Sequence, residues 1–277
     1  MRPFQSYKNI VVFLAILFGA RFLVWKDCGI SIAAFVVFCL LSGGIYLFND
    51  IIDRKADREH DRKCLRPIAG GELSVVLAGI VAVLVFIIAI GGAWFIGWQF
   101  FACALGYLAL QVIYTLLLKR IFLVDIITIS LGFVLRAIAG ALAIDVSVSP
   151  WLVIGVFLMA LVLALTKRKE EMGNLGDSAH KHRSTLRQYD DDTIKYMLNI
   201  TSTALFVSYL LYAASFEHTR MLATVPFVTY CLFRYLHIVR QNNGSGERAE
   251  RILLDWPMLI GITGWVISVA VVLVWWK

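Results

Sequence analysis

At 277 residues the chain is 60% hydrophobic and only 16% charged, against roughly half apolar and about 25% charged for a soluble globular domain. A mean hydropathy of +0.79 therefore excludes an ordinary soluble enzyme. The net charge of +7 and pI near 9.2 do not signal nucleic acid either, because no basic reader motif accompanies them and excess Lys and Arg orient membrane proteins.

In chain order, nine apolar stretches approach the roughly 20 residues that cross a bilayer as helix. They cover residues 9–25, 29–48, 73–93, 96–118, 122–143, 150–167, 194–215, 219–239 and 256–276. None alternates apolar with polar residues as barrel strands do. The expectation is an all-α polytopic membrane protein of nine transmembrane helices in one domain, 1–277. The first stretch lacks a small-residue cleavage site and reads as a retained span. Cys28, Cys39, Cys103 and Cys231 lie in or beside apolar stretches, Cys64 lies in a polar loop, and no CxxC pair suggests zinc or a disulfide framework.

The breaks between spans are unequal. Those after the second, fourth, sixth and eighth spans, with the N-terminus, carry nearly all the basic residues; the opposite side has Lys26, Arg220 and Lys277. By the positive-inside rule the N-terminus and the long loops 49–72 and 168–193 face the cytoplasm.

The first long loop begins "NDIIDRKADREHDRKCLRP". Continued as helix, Asp50, Asp53 and Asp57 stand at i, i+3 and i+7 on one face, within about 60° of one another. Their mutual repulsion becomes tolerable beside a dication, and magnesium takes carboxylate oxygens together with substrate phosphates. Arg54, Arg58, Arg62, Lys63 and Arg66 could then clamp phosphate oxygens. The alternative is a solvated loop in which Glu59 pairs with Lys63.

The second long loop opens with Lys167, Arg168, Lys169, Glu170 and Glu171, which could hold a second metal or an anionic substrate, or simply anchor the helix at the interface. His180 and His182, flanked by Lys181 and Arg183, read as solvated. Asp190, Asp191 and Asp192 read as helix capping. Asp125 and Arg136 lie at and within the fifth span, where charges are costly unless they face a polar cavity or pair for structure. Tyr114 and Lys119 end the fourth span towards the same side.

The pattern NDxxDxxxD after the second span, on a nine-span scaffold with a polar loop after the sixth, resembles the UbiA prenyltransferase superfamily. "RPFQSYKN", "HDRKCLRPIAGG", "LVDIITISLGFVLRAIAGALA", "SPWL", "KRKEE", "RSTLRQY" and "ERILLDWPML" are similar to its decaprenyl-phosphate phosphoribosyltransferase branch. The resemblance implies helices around a central cavity open to the cytoplasm, in what would be a bacterial inner membrane. It implies a Mg2+ cofactor and transfer of 5-phosphoribose from phosphoribosyl pyrophosphate to a polyprenyl phosphate, feeding a cell-wall precursor. Asp50, Asp53 and Asp57 would be the catalytic metal ligands. Lys8, Asn49, His60, Lys63, Arg66, Tyr114, Lys119, Asp125, Arg136, Lys167, Arg168, Glu171, Arg183 and Tyr189 would bind substrate.

Two departures from the family pattern matter. His60 is followed by Asp61 where the family commonly has proline, which adds a fourth carboxylate. "KRKEEMG" stands where aromatic prenyltransferases usually carry a second aspartate motif, against a prenyl diphosphate donor. The competing expectations are a prenyltransferase using an isoprenoid diphosphate and, more remotely, an anion transporter. Homo-oligomerisation stays open, and no nucleic-acid partner is expected.

Overall fold

A computed structural model describes residues 3–59, 63–175, 189–215, 219–241 and 255–275. Within them there is no strand. The helices are α1 (Leu14–Phe18), α2 (Trp25–Ile52), α3 (Arg54–Arg58), α4 (Val75–Ile96), α5 (Trp98–Leu116), α6 (Val124–Ala143), α7 (Pro150–Leu175), α8 (Asp191–Ala214), α9 (Val225–Gln241) and α10 (Trp256–Trp275). Eight helical segments are long and apolar enough to cross a membrane, and the protein is integral to it.

The first expected span differs. Residues Pro3–Phe13 form a 3₁₀ helix that runs into α1, an apolar segment shorter than the others. Ala20 then takes a left-handed conformation at φ 52°, so the chain turns where a continuous span had been expected. Within the segment Asn9 is completely buried and is held by side chains from other helices.

The chain divides into two compact units. The first comprises Met1–Ile16, Phe22–Ile121 and Gly132–Val148. Its longest helix, α2, packs along α4. Lipid tails are as apolar as leucine, so close approach rather than water exclusion drives such contacts. The sequence supplies it: Ala78, Ala82, Val85, Ala89 and Ala93 form one stripe of small residues buried on α4. On α2, Gly44 receives Phe86, whose ring would lie 2.5 Å from any added β-carbon. Val76, Leu77, Ile80, Leu84, Ile87 and Ile88 on α4 stay exposed, as a lipid-facing surface does. Ser74 caps α4 by accepting from the Leu77 amide at 3.1 Å, and Gly97 alone joins α4 to α5.

Another close contact fixes the N-terminal segment. A β-carbon on Gly140 of α6 would stand 2.1 Å from the backbone oxygen of Val12. Gly140→Val is therefore expected to push the segment off α6 and to cost about 1–3 kcal/mol, the usual penalty of overpacking. Thermal unfolding in detergent measures it; an unchanged midpoint would contradict the contact.

The second unit comprises Leu17–Arg21, Phe122–Leu131 and Ser149–Lys277. Here α7 packs on α8 and α9 on α10. Gly261 and Gly264 on α10 make room for Cys231 and Phe227 of α9. As the acidic run before the seventh span suggested, Asp190 caps α8 by accepting from the Thr193 amide at 2.8 Å, and bonds from Thr193 hold its carboxyl below the usual range.

Candidate active site

The first unit carries the aspartates. α2 runs on past Phe48 to Ile52, Asp53 makes a slight break at φ −84° and ψ 2°, and α3 resumes the helical path. Backbone bonds from Asp53 to Asn49 at 2.9 Å and from Asp57 to Asp53 at 2.8 Å keep the turns stacked. Asn49, Asp50, Asp53 and Asp57 thus stand along one helical end, as their spacing indicates.

Two cations from elsewhere in the unit hold them. Arg66 Nη1 donates to Asp50 Oδ1 at 3.1 Å and to Asp57 Oδ2 at 2.5 Å. Lys119 Nζ donates to Asp53 Oδ1 at 2.6 Å and to Asn49 Oδ1 at 3.4 Å. Arg66 follows the 3₁₀ turn Lys63–Leu65, which carries the half-buried Lys63. Arg58 Nε ties this loop back by donating to the Ala69 carbonyl at 3.0 Å. Lys119 lies on the 3₁₀ turn Leu118–Arg120, beyond the end of α5 on which Tyr114 is half-buried.

The donor chemistry fits a hard dication, because Asn49 and the three aspartates offer only oxygen. Among the described residues, however, no three His, Cys, Asp or Glu side chains are gathered as a metal site. Asp50 and Asp57 share a guanidinium instead, and Asp53 faces an ammonium.

Deeper in the same unit, Arg136 is 5% exposed and is held by neutral groups. It donates to Asn9 Oδ1 at 2.8 Å, the Gly132 carbonyl at 3.0 Å and the Tyr107 hydroxyl at 2.6 Å. Ser42 donates to Asn9 Oδ1 at 3.2 Å, and the guanidinium lies 4.7 Å from the Tyr107 ring centroid. Bonds to a charged donor contribute more than neutral ones, about 1.5–3 kcal/mol each, so Arg136 fastens the N-terminal segment to α5 and α6. Asn9, Ser42 and Tyr107 were not singled out from sequence; no spacing rule links them. Lys8, on the N-terminal 3₁₀ helix, donates to Gln5 at 3.2 Å.

The second unit carries a separate polar cluster. Asp125, in the first turn of α6, is 0% exposed and Arg168 of α7 is 2% exposed. Arg168 Nε donates to Asp125 Oδ2 at 2.9 Å, and the Tyr189 hydroxyl donates to Asp125 Oδ1 at 3.0 Å. Arg168 Nη1 also donates to Glu171, whose other oxygen lies 4.0 Å from the exposed Lys167. Charges alternate from the buried Asp125 out to the surface. Burial, then the Asp125 carboxylate beside it, pushes the Tyr189 hydroxyl above its usual range, so it stays a donor. Phe122 packs on the Tyr189 ring at 4.6 Å.

A further pair lay unread in the sequence. Arg234 of α9 forms a bidentate pair with Asp255 at 2.9 and 3.1 Å. Asp255 in turn caps α10 through the Met258 amide at 3.0 Å, and Arg234 holds its carboxyl below the usual range. His60, Asp61, Arg183 and the histidines 180 and 182 lie outside the described residues.

The pattern of the UbiA prenyltransferase family matches residues 9–259. The decaprenyl-phosphate phosphoribosyltransferase of Mycolicibacterium smegmatis is 32% identical, over 96% of this chain and 88% of its own. Its namesake from Corynebacterium glutamicum is 33% identical, over 97% and 84%. Among solved structures, a UbiA homolog from Archaeoglobus fulgidus bound to GPP and Mg2+ has a TM-score of 0.73 at 17% identity, covering 95% of this chain and 94% of that one. At that identity the likeness is one of fold.

Proposed function

The chain belongs to the UbiA prenyltransferase family, and from that membership we propose that it transfers 5-phosphoribose from phosphoribosyl pyrophosphate to a polyprenyl phosphate and releases pyrophosphate. It is a membrane-embedded transferase. Relatives covered nearly end to end at 30–33% identity are named phosphoribosyltransferases, and that observation carries the choice of donor.

Asp50, Asp53 and Asp57, with the Asn49 amide, are the residues that would hold magnesium. The ion would offset the charge gathering on the departing pyrophosphate. The protein's own cations complete the donor site: Arg66 and Lys119 already lie against these oxygens, and Lys63 and His60 belong to the same loop. The bond from ribose C1 to pyrophosphate breaks, and a bond from C1 to an oxygen of the lipid phosphate forms. That phosphate is anionic before it attacks, so no general base is needed. This agrees with a cluster of Asp, Lys and Arg.

Asp125, Lys167, Arg168, Glu171, Arg183 and Tyr189 are proposed as further substrate contacts; Asp125, Arg168 and Tyr189 are buried and bonded to one another, and Lys167 is the exposed member of the cluster. Lys8, Tyr114 and Arg136 are proposed to line the path in the first unit. Both long loops, with the N-terminus, are proposed to face the cytoplasm, where the soluble donor is available.

The second reading is transfer of an isoprenoid from its diphosphate, favoured by solved relatives of the fold bound to GPP and DMAPP. Against it stands "KRKEEMG", where aromatic prenyltransferases usually carry a second aspartate motif and where Arg168 is instead buried against Asp125 of α6. Purified protein is given polyprenyl phosphate with labelled phosphoribosyl pyrophosphate, beside polyprenyl diphosphate with 4-hydroxybenzoate. Label is expected in the lipid phase of the first reaction only, and chelating magnesium should abolish it. Product from the second reaction alone would replace the proposal with the isoprenoid reading.

A further inference from the structure

In the aspartate cluster, two side chains stand where a metal was expected. Arg66 joins Asp50 to Asp57, and Lys119 joins Asp53 to Asn49. The side chains of Asp57 and Asp50 are only 6% and 14% exposed, so solvent screens these pairs weakly. A dication that takes the same oxygens displaces the guanidinium and the ammonium, and one that takes the other oxygen of each carboxylate is repelled by both cations at close range. A bare ion offers the two departing cations no new acceptor, and like charges repel. A pyrophosphate arriving with the metal does offer one: its oxygens take charge-assisted bonds from Arg66 and Lys119 as the carboxylates pass to the metal.

We propose that Arg66 and Lys119 are internal counter-ions that shut this site to a bare divalent cation and open it to a metal–pyrophosphate complex. Metal and pyrophosphate then bind with positive coupling, and by linkage each tightens the other equally. Both residues therefore set which ligand the site accepts, besides contacting phosphate. The inference rests on the assignment of Asp50, Asp53 and Asp57 as metal ligands, but not on which group the pyrophosphate leaves.

The test is equilibrium dialysis of Mn2+ against the full chain in detergent, with and without inorganic pyrophosphate. Manganese complexed to free pyrophosphate distributes equally across the membrane, so only the protein-bound excess is read. Wild type is expected to bind Mn2+ on the order of tenfold more tightly when pyrophosphate is present. Arg66→Gln should tighten bare Mn2+ binding on the order of tenfold and weaken binding in the presence of pyrophosphate by a similar factor. Lys119→Gln, which frees Asp53, should give the same pair of opposite shifts and serves as a second variant if the first folds poorly.

Lys55, exposed on α3, is the control for charge acting through space. Lys55→Gln should move neither affinity by more than about twofold, the level of a screened surface charge. Bare Mn2+ binding that is unchanged or weaker in both Arg66→Gln and Lys119→Gln overturns the inference. So does equal tightening in Lys55→Gln, or failure of manganese to bind wild type with pyrophosphate present. Each of these results leaves the choice of donor to the two-donor assay, so the two readings fail separately.

Discussion

Asp53→Asn is expected to abolish transfer, lowering turnover by about three orders of magnitude or more, while leaving the protein folded. The change keeps shape and volume but removes the charge that Lys119 meets at 2.6 Å and that a magnesium ion would require. Loss of one preorganised group that stabilises developing charge typically costs about 10²–10³, and a missing metal ligand compounds it. The fold should survive because Asp53 sits at the end of α2, with 30% of its side chain exposed, and its amide bond to Asn49 is untouched. Transfer rate and thermal midpoint are measured together. Full activity with an unchanged midpoint would remove Asp53 from the metal set; loss of both would make it a folding residue instead.

The largest effect on stability is expected at Asp125. Asp125→Leu strips Arg168 of a fully buried acidic partner, keeps its bond to the half-buried Glu171, and sets an apolar side chain against a guanidinium that is 2% exposed. Breaking a buried pair from one side costs about 3–5 kcal/mol where the remaining charge is uncompensated, and the bond from Arg168 to Glu171 places this variant at the lower end of that range. The Tyr189 hydroxyl loses its acceptor at the same time. Adding Arg168→Met should recover most of the loss, since replacing a whole buried pair by apolar groups is often close to neutral. Unfolding in detergent of the two single variants and the double variant reads both effects. A double variant as unstable as Asp125→Leu alone would mean that packing around α6, rather than the orphaned charge, sets the cost.

These sites were unequally legible in the sequence. The length of hydrocarbon to be crossed is written into composition, so α2 and α4–α10 coincide with the apolar stretches, although α7 continues to Leu175, into the expected loop. The path of Asp50, Asp53 and Asp57 follows from helical periodicity alone. What grips them does not: Arg66 is 16 positions from Asp50, and Lys119 is 66 from Asp53. Arg168 and Asp125 are separated by 43 positions, Arg136 and Asn9 by 127. Local rules end at about one helical turn, and such pairs depend on how distant helices pack. The N-terminal stretch was misjudged in extent for the same reason. Its apolar run is long enough to cross, but the buried Asn9 and the turn at Ala20 answer to partners that hydropathy does not record.

The aspartates hang from the end of α2, a helix locked against α4 along its length, whereas their counter-ions come from a loop and a short turn. This separation has a consequence for divergence within the family. Substitutions in the loop and the turn can alter which phosphorylated compound is accepted, while the proposed metal ligands stay where α2 puts them. Selection can then act on substrate preference without reopening the problem of building the reaction centre.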